Sequence, residues 1–404
     1  MKRFLLVAIV VLVIISFLSS GVAGYLLITM NNKPIGVINT SKQDKEEILF
    51  NNKLTSISSG DMIFKKIDNS TKDIALKNNI NRVSTGITGD YDEFGVDGYD
   101  ILKEDVYKMY YTGFGGENAS KRRLLYAEST DGQTWVKEPS NIIIDIGNGF
   151  DSVANPTVLK DGDIYKMWFV VNKTVPGWDM YMATSTDGIK WEVVNYETPA
   201  VSDTKGTEGR LPRGSQGKGD SNAVLELSAV KVGNEIYMYY VGFNGKKGAV
   251  YLATSSDGGY TWVKKNNAVA IETNTVSTNG TLPPGLAGSG DEKEVRDPEV
   301  LLYNNKFVMI YATEGTVGGL FCATSTDGLT WTKINNQSAI NSQNDFCRLK
   351  TGGTNTADSL SLGKPRFVLG DEQTGLAKLY YLGLETVTVK NKTRTILSAD
   401  IFIK

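Results

Sequence analysis

An all-β chain wound into a five-bladed propeller is what this sequence predicts, because a turn phrase and a strand phrase recur together at blade-like intervals. The turn phrase Ser129-Thr130-Asp131-Gly132-Gln133-Thr134-Trp135 returns at Ser185–Trp191, Ser255–Trp262 and Ser325–Trp331. The strand phrase is apolar and carries a methionine: Tyr107-Lys108-Met109-Tyr110-Tyr111, then again around Met167, Met238 and Met309. Successive methionines stand 58, 71 and 71 positions apart, room enough for four strands and their loops.

Along the chain, Met1-Lys2-Arg3 and the apolar residues from Phe4 to Leu18, resuming after Gly24 through Met30, form a candidate N-terminal helix. Residues 1–30 thus read as a signal peptide cut near Ala23, or as an uncleaved single-pass anchor with its basic end in the cytoplasm. Either way the remainder is exported, secreted or held at the membrane. Residues 31–82 are rich in Asn, Lys, Ser and Asp and read as a polar stalk. The propeller is expected over residues 83–404.

In each turn phrase Asp-Gly supplies the tight bend and the Ser and Asp side chains bond back to turn amides, while the Trp plugs the gap between neighbouring sheets. A fifth, degenerate unit begins near Asp358 and runs through Lys364–Leu369, Leu379–Gly383 and Ile396–Asp400 without a turn phrase. Its outer strand is expected from the N-terminal side, around Arg82 to Ile87, or is absent. Two Gly-rich insertions, Thr204 to Gly219 and Thr273 to Gly290, enter the third and fourth units and are expected either to fence a pocket or to be surface excursions. Cys322 and Cys347, the only cysteines, read as a disulfide of an oxidising compartment or as two buried thiols.

Net charge is −2 and no run of basic residues occurs, which argues against a nucleic-acid partner. No histidine occurs at all, which removes Ser-His-Asp and Cys-His chemistry and disfavours a catalytic zinc. Acid–base work would fall to carboxylates, and carboxylate chemistry on an exported all-β scaffold points to glycosidic bonds.

In a propeller the first strand of each blade starts at one face, so equivalent residues there converge on the central channel. Registering the units on their methionines places Asp97, Asn155, Glu226 and Asp297 at one position, and Pro156, Pro298 and Pro365 place Lys364 there in the fifth. Asp90, Asp92 and Asp100 are close rivals of Asp97. Three acids in one ring raise at least one pKa by mutual repulsion and leave a proton available; the plainer reading is a polar lining for a wet channel. Just upstream, Asp151 and Asp220 either cap the approach loops or reach a ligand's hydroxyls. Arg296 and Arg366, beside the ring, complete the candidate ligand-binding set with Asp151, Asn155, Asp220 and Lys364.

These residues resemble the five-bladed propeller glycoside hydrolases of families 32, 43, 62 and 68 over roughly residues 83 to 404. The matches are the Ser-x-Asp-Gly-x-x-Trp turns, Phe150-Asp151-Ser152 through Asn155-Pro156, and Val295-Arg296-Asp297-Pro298, similar to the Arg-Asp-Pro motif of sucrose and fructan enzymes. The resemblance implies Asp97 as general base or nucleophile, Asp297 as the tuning Asp and Glu226 as proton donor. It requires no cofactor and admits a calcium ion in the channel; no metal-ligand motif is apparent. Two positions depart from the family pattern: Glu226 precedes Asp297, and Lys364 stands where family 43 frequently has histidine. The third turn also resembles the sialidase Asp-box, which would imply six blades and three clustered arginines, drawn from Arg210, Arg213, Arg296, Arg348 and Arg366.

Two functions follow. One is a cell-surface glycosidase acting on oligo- or polysaccharide. The other is a non-catalytic surface propeller that binds glycan or protein, with Trp178, Phe114 and Phe243 available for stacking.

Overall fold

The computed structural model describes residues 89–403 with short interruptions, the longest at 335–347, together with Gly86 and three strands further upstream. The chain divides into two compact units, Met1–Ser56 and Ile57–Lys404. In the first, Leu26–Met30 pairs antiparallel with Lys33–Ile38. The end of the expected apolar span is therefore a strand, and the rest of that span lies outside the described residues. Among the described residues no helix is long and apolar enough to cross a membrane.

The second unit consists of five antiparallel blades of four strands each; the second and third join, with the short strand Lys205–Gly206, into one nine-stranded sheet, and the fourth carries the extra short strand Arg348–Lys350. Their first strands are Gly95–Lys103, Ser152–Asp161, Ala223–Val232, Glu294–Tyr303 and Ser361–Leu369, in blades 1 to 5. Each first strand neighbours the next, and the fifth neighbours the first, so the five close a circuit. Blades 2 and 3 are additionally joined by one parallel pair, Trp178 with Ala223.

The turn phrases fold as their chemistry requires. In blade 1, Ser129 Oγ accepts the amides of Asp131 and Gly132, and Asp131 Oδ1 accepts those of Gln133 and Thr134 at 2.7 Å. Gly132 takes a φ of 67°, which the bend demands. The same bonds recur at Asp187, Asp257 and Asp327. Each Trp then meets an aromatic residue of the preceding blade edge-on: Trp191 on Tyr110, Trp262 on Trp168 and Trp331 on Tyr239, each just after the methionine, and Trp135 on Tyr380, just after Leu379, across the closure. Blade 4 has Ile310 at that place, facing the one blade without a turn-borne Trp. Apolar core thus lies between blades, where each sheet buries one face on its neighbour.

Two expectations need correction. The outer strand of blade 5 is Met62–Lys66, paired with Lys392–Ile403, not a segment near Arg82. The stretch assigned to the stalk therefore contributes a strand that closes the propeller. Second, the Gly-rich insertions are built structure. Leu211 and Met180 exchange backbone bonds at 3.0 and 3.1 Å, and Leu282 and Val250 do so at 3.0 and 3.2 Å, so each insertion docks on the third strand of the blade before it. Cys322 is disulfide-bonded; the other cysteine, Cys347, lies outside the described residues.

Candidate active site

One backbone device places the ring. In blades 2 to 5 the first strand carries a bulge at the same point, between Ala154 and Thr157, Leu225 and Ser228, Arg296 and Glu299, and Gly363 and Arg366. The first bulged residue takes a left-handed φ: Asn155 at 51°, Glu226 at 52°, Asp297 at 50° and Lys364 at 49°. That conformation costs roughly 1–2 kcal/mol for an L-residue, and four non-glycine residues hold it at one position, which makes the bulge a candidate functional site. In three blades proline follows, a residue with no N–H to leave unpaired in the bulge.

Blade 1 deviates by one. Its hairpin is a residue shorter, pairing Lys103 with Tyr107 where blade 2 pairs Lys160 with Tyr165. Strand pairing therefore aligns Gly98, not Asp97, with Asn155, and a Cβ on Gly98 would lie 2.0 Å from Asn155 Oδ1. Asp97 nevertheless lines the cup from one position earlier.

The cup has two lobes. The larger, of about 270 Å³, is lined by Asp97, Glu226, Arg296, Asp297, Lys364 and the strand Ser361–Gly363, with Leu382 and Leu384. The smaller, of about 220 Å³, is lined by Asp97, Glu226 and Lys364 again, with Arg122, Asn155 and Trp178 among the rest. Lys364 Nζ sits 2.9 Å from Glu226 Oε1 and 2.5 Å from Asp297 Oδ1, and the Asp297 amide donates to Glu226 Oε2 at 2.9 Å. The expected trio is thus gathered in one site, with Lys364 at its centre.

The electrostatics separate the acids. Burial and the negative charge of Asp297 push Glu226 up to about 7, against the opposing pull of Lys364. Burial acts on Asp297 too, but Lys364 and Arg296 outweigh it and hold its carboxyl down to about 2. Burial works against the Lys364 charge, yet Asp297, Glu226 and Asp97 overcome it and raise its pKa. One carboxyl that keeps its proton beside one that stays ionised is the pattern by which a site divides acid from base. The ring does not fit a calcium ion, because the lysine ammonium already holds the position between the carboxylates. No cluster of metal-ligating side chains occurs among the described residues.

A second polar layer, absent from the sequence reading, lies beneath. Strand pairing aligns Asp100, Thr157, Ser228, Glu299 and Arg366, one per blade. Asp100 accepts the amide of Val158, Thr157 that of Ala229, Ser228 that of Val300 and Glu299 that of Phe367, at 2.7 to 3.2 Å. Each side chain thus takes an amide of the next blade. Arg366, expected at the ligand, is instead nearly sealed here between Asp100 at 3.5 Å and Glu299 at 3.3 Å. Burial, opposed by Arg366 and reinforced by Asp100, raises Glu299 to about 7.

Asp220 takes the loop-capping role of its two expected ones and not the ligand-binding one. It is fully buried against Lys264 at 2.6 Å, accepts a bond from the Tyr240 hydroxyl, and anchors the first insertion through Gly214 N. The trio recurs as Asp291, Tyr311 and Lys333 in blade 4 and as Asp92, Tyr111 and Lys137 in blade 1. These bonds fasten loops, and no described residue of either insertion lines either lobe. Blade 2 lacks the trio, having Phe169 and Val193 at the matching places, and there Asp151 stays half-exposed with Lys121 at 3.2 Å. The arginines do not form a sialidase-like cluster: Arg296 lines the cup, Arg366 lies below it, Arg210 binds Glu208 and Arg213 binds Asp179. The Arg348 side chain lies outside the described residues.

Structural comparison decides the family of folds. A thermostable family-43 glycoside hydrolase aligns over 80% of this chain and 92% of its own, with TM-score 0.52 and 14% identity. A protein titled glycoside hydrolase aligns over 89% and 95%, with TM-score 0.56 and 12% identity. The fold is that of the five-bladed β-propeller glycoside hydrolases. A Bombyx mori family-32 beta-fructofuranosidase in complex with sucrose also aligns, over 89% of this chain and 67% of its own, with TM-score 0.50 and 12% identity. In sequence, residues 214–351, spanning blades 3 and 4, match the model of the glycosyl hydrolases family 32 N-terminal domain. Two uncharacterized Mycobacterium tuberculosis proteins, from strains CDC 1551 and H37Rv, are 33% identical over 90 residues, 21% of this chain and 29% of theirs.

Proposed function

We propose that this propeller is an exported, membrane-anchored glycoside hydrolase that cleaves oligo- or polysaccharide with carboxylates alone. The observation that carries the reading is a single cup in which Glu226 keeps a proton toward pH 7 while Asp297, sharing the same lysine, stays ionised. Glu226 donates its proton to the leaving glycosidic oxygen. Asp97, on the wall common to both lobes, activates water or attacks the anomeric carbon. Lys364, 2.9 Å from Glu226, stabilises the carboxylate left after proton transfer. Export and anchoring rest on the basic start and apolar span of residues 1–30.

Glu226→Gln tests the assignment. It should lower kcat/KM by about 10²–10⁴-fold on any glycoside the protein cleaves, with ligand affinity retained. Unchanged turnover would refute it.

A binding-only propeller is the second reading. It is favoured by Asn155 and Lys364, a neutral and a basic residue at ring positions, and by Trp178 in the smaller lobe. Glycan affinity without turnover in the unmodified protein would select it.

A further inference from the structure

The cup is not simply acidic. Asp97, Glu226 and Asp297 face Arg122, Arg296 and Lys364, three negative groups against three positive. A cup of acids alone would repel an anion, whereas this one is balanced, and the proton on Glu226 leaves it a positive excess.

The positive groups are distributed with direction. Lys364 occupies the centre between two carboxylates. Arg122 stands in the smaller lobe, about one third exposed, with Nε 3.8 Å from Asp97 Oδ2, beyond hydrogen-bond range. Its guanidinium lies over the Phe114 ring, 5.8 Å from the centroid. The same lobe offers the Asn155 side chain and the half-buried indole of Trp178. An apolar ring face, an amide and a planar five-donor cation in a lobe of about 220 Å³ match a single sugar ring that bears an acidic group.

We infer that the smaller lobe is a subsite for an anionic sugar, a uronate or sulfated residue, whose acidic group is held by Arg122 while its ring lies on Trp178. This deepens the glycoside reading, since it names the class of glycan the cup accepts. Carboxylate and sulfate share the same recognition by the guanidinium fork.

Calorimetric binding to the full chain tests it with four probes: a digalacturonate, its methyl ester, a sulfated disaccharide and neutral galactobiose. The expected result is at least about tenfold tighter binding of the digalacturonate or the sulfated disaccharide than of the ester and the neutral sugar. The tighter of the two acidic probes identifies the source of the charge. Arg122→Gln should abolish that preference, Arg122→Lys should restore part of it, and an unchanged melting temperature would show that the variants fold. Equal affinity for acid and ester, a preference that survives in Arg122→Gln, or no binding of either acidic probe at millimolar concentration would overturn the inference. Because the readout is affinity, absence of turnover would count against the hydrolase reading and leave this result standing.

Discussion

Lys364 is the residue on which the cup's chemistry turns. It joins Glu226 to Asp297 and neutralises two carboxylates that would otherwise face each other out of water. Lys364→Met should therefore destabilise the fold by about 3–5 kcal/mol, the usual cost of breaking a buried ion pair from one side. The loss should grow as pH rises and Glu226 is forced to ionise, which urea titrations at pH 5 and pH 8 would reveal. Any surviving activity should persist to higher pH than in the unmodified protein, because removing the ammonium raises Glu226 further. The ring acids were legible in the sequence because a shared methionine and a following proline fix their register. Asp97 was placed one residue off for a physical reason: the first hairpin is a residue shorter, so the gapless spacing hid the shift that strand pairing reveals. Loop capping by Asp220 was legible, but its exclusion from the ligand was not, because nothing in its local sequence shows that Lys264, 44 residues later, seals it.

At the scale of the strand, the bulge aims a side chain at the channel, while the first strand pairs on one side only in blades 1, 4 and 5, so amides on its other side need another acceptor. The layer of Asp100, Thr157, Ser228 and Glu299 supplies one from the preceding blade, which makes the same element both a site builder and an inter-blade fastener. Thr157→Val keeps shape and removes the hydroxyl that accepts from Ala229 N and bonds to Asp100. It should cost about 1–3 kcal/mol, the penalty of a buried unsatisfied amide, read as a lower urea midpoint with an unchanged slope. A loss below about 0.5 kcal/mol would mean that water replaces the hydroxyl. This layer escaped sequence reading because its five members share neither charge nor size; only pairing shows that they are equivalent. The turn phrases and their Trp plugs were fully legible, since Ser, Asp, Gly and Trp each perform a local task that their chemistry dictates.

For the whole molecule, closure depends on a strand borrowed from far upstream. Met62–Lys66 covers the edge that Lys392–Ile403 would otherwise expose, and an uncovered edge invites aggregation. A chain begun at residue 57 should fold as a monomer, while one begun at residue 82 should melt lower and self-associate, as scattering and thermal unfolding would show. Equal stability of the two would mean that the strand is dispensable. The sequence hid this strand because five residues without a turn phrase look like the polar stalk around them.

The central claim is that Glu226, kept protonated by burial beside Asp297, is the acid of a glycoside-cleaving cup. The most direct test is kcat/KM from pH 5 to 9 on a panel of aryl glycosides, neutral and acidic, for the unmodified protein and Glu226→Gln. A carboxyl raised to about 7 holds its proton below that pH and loses it above. Activity should accordingly fall as pH rises through about 7, and Glu226→Gln should be slower by about 10²–10⁴-fold with no fall at that pH. A profile flat across pH 7, or a Gln variant that turns over at the unmodified rate, would contradict it.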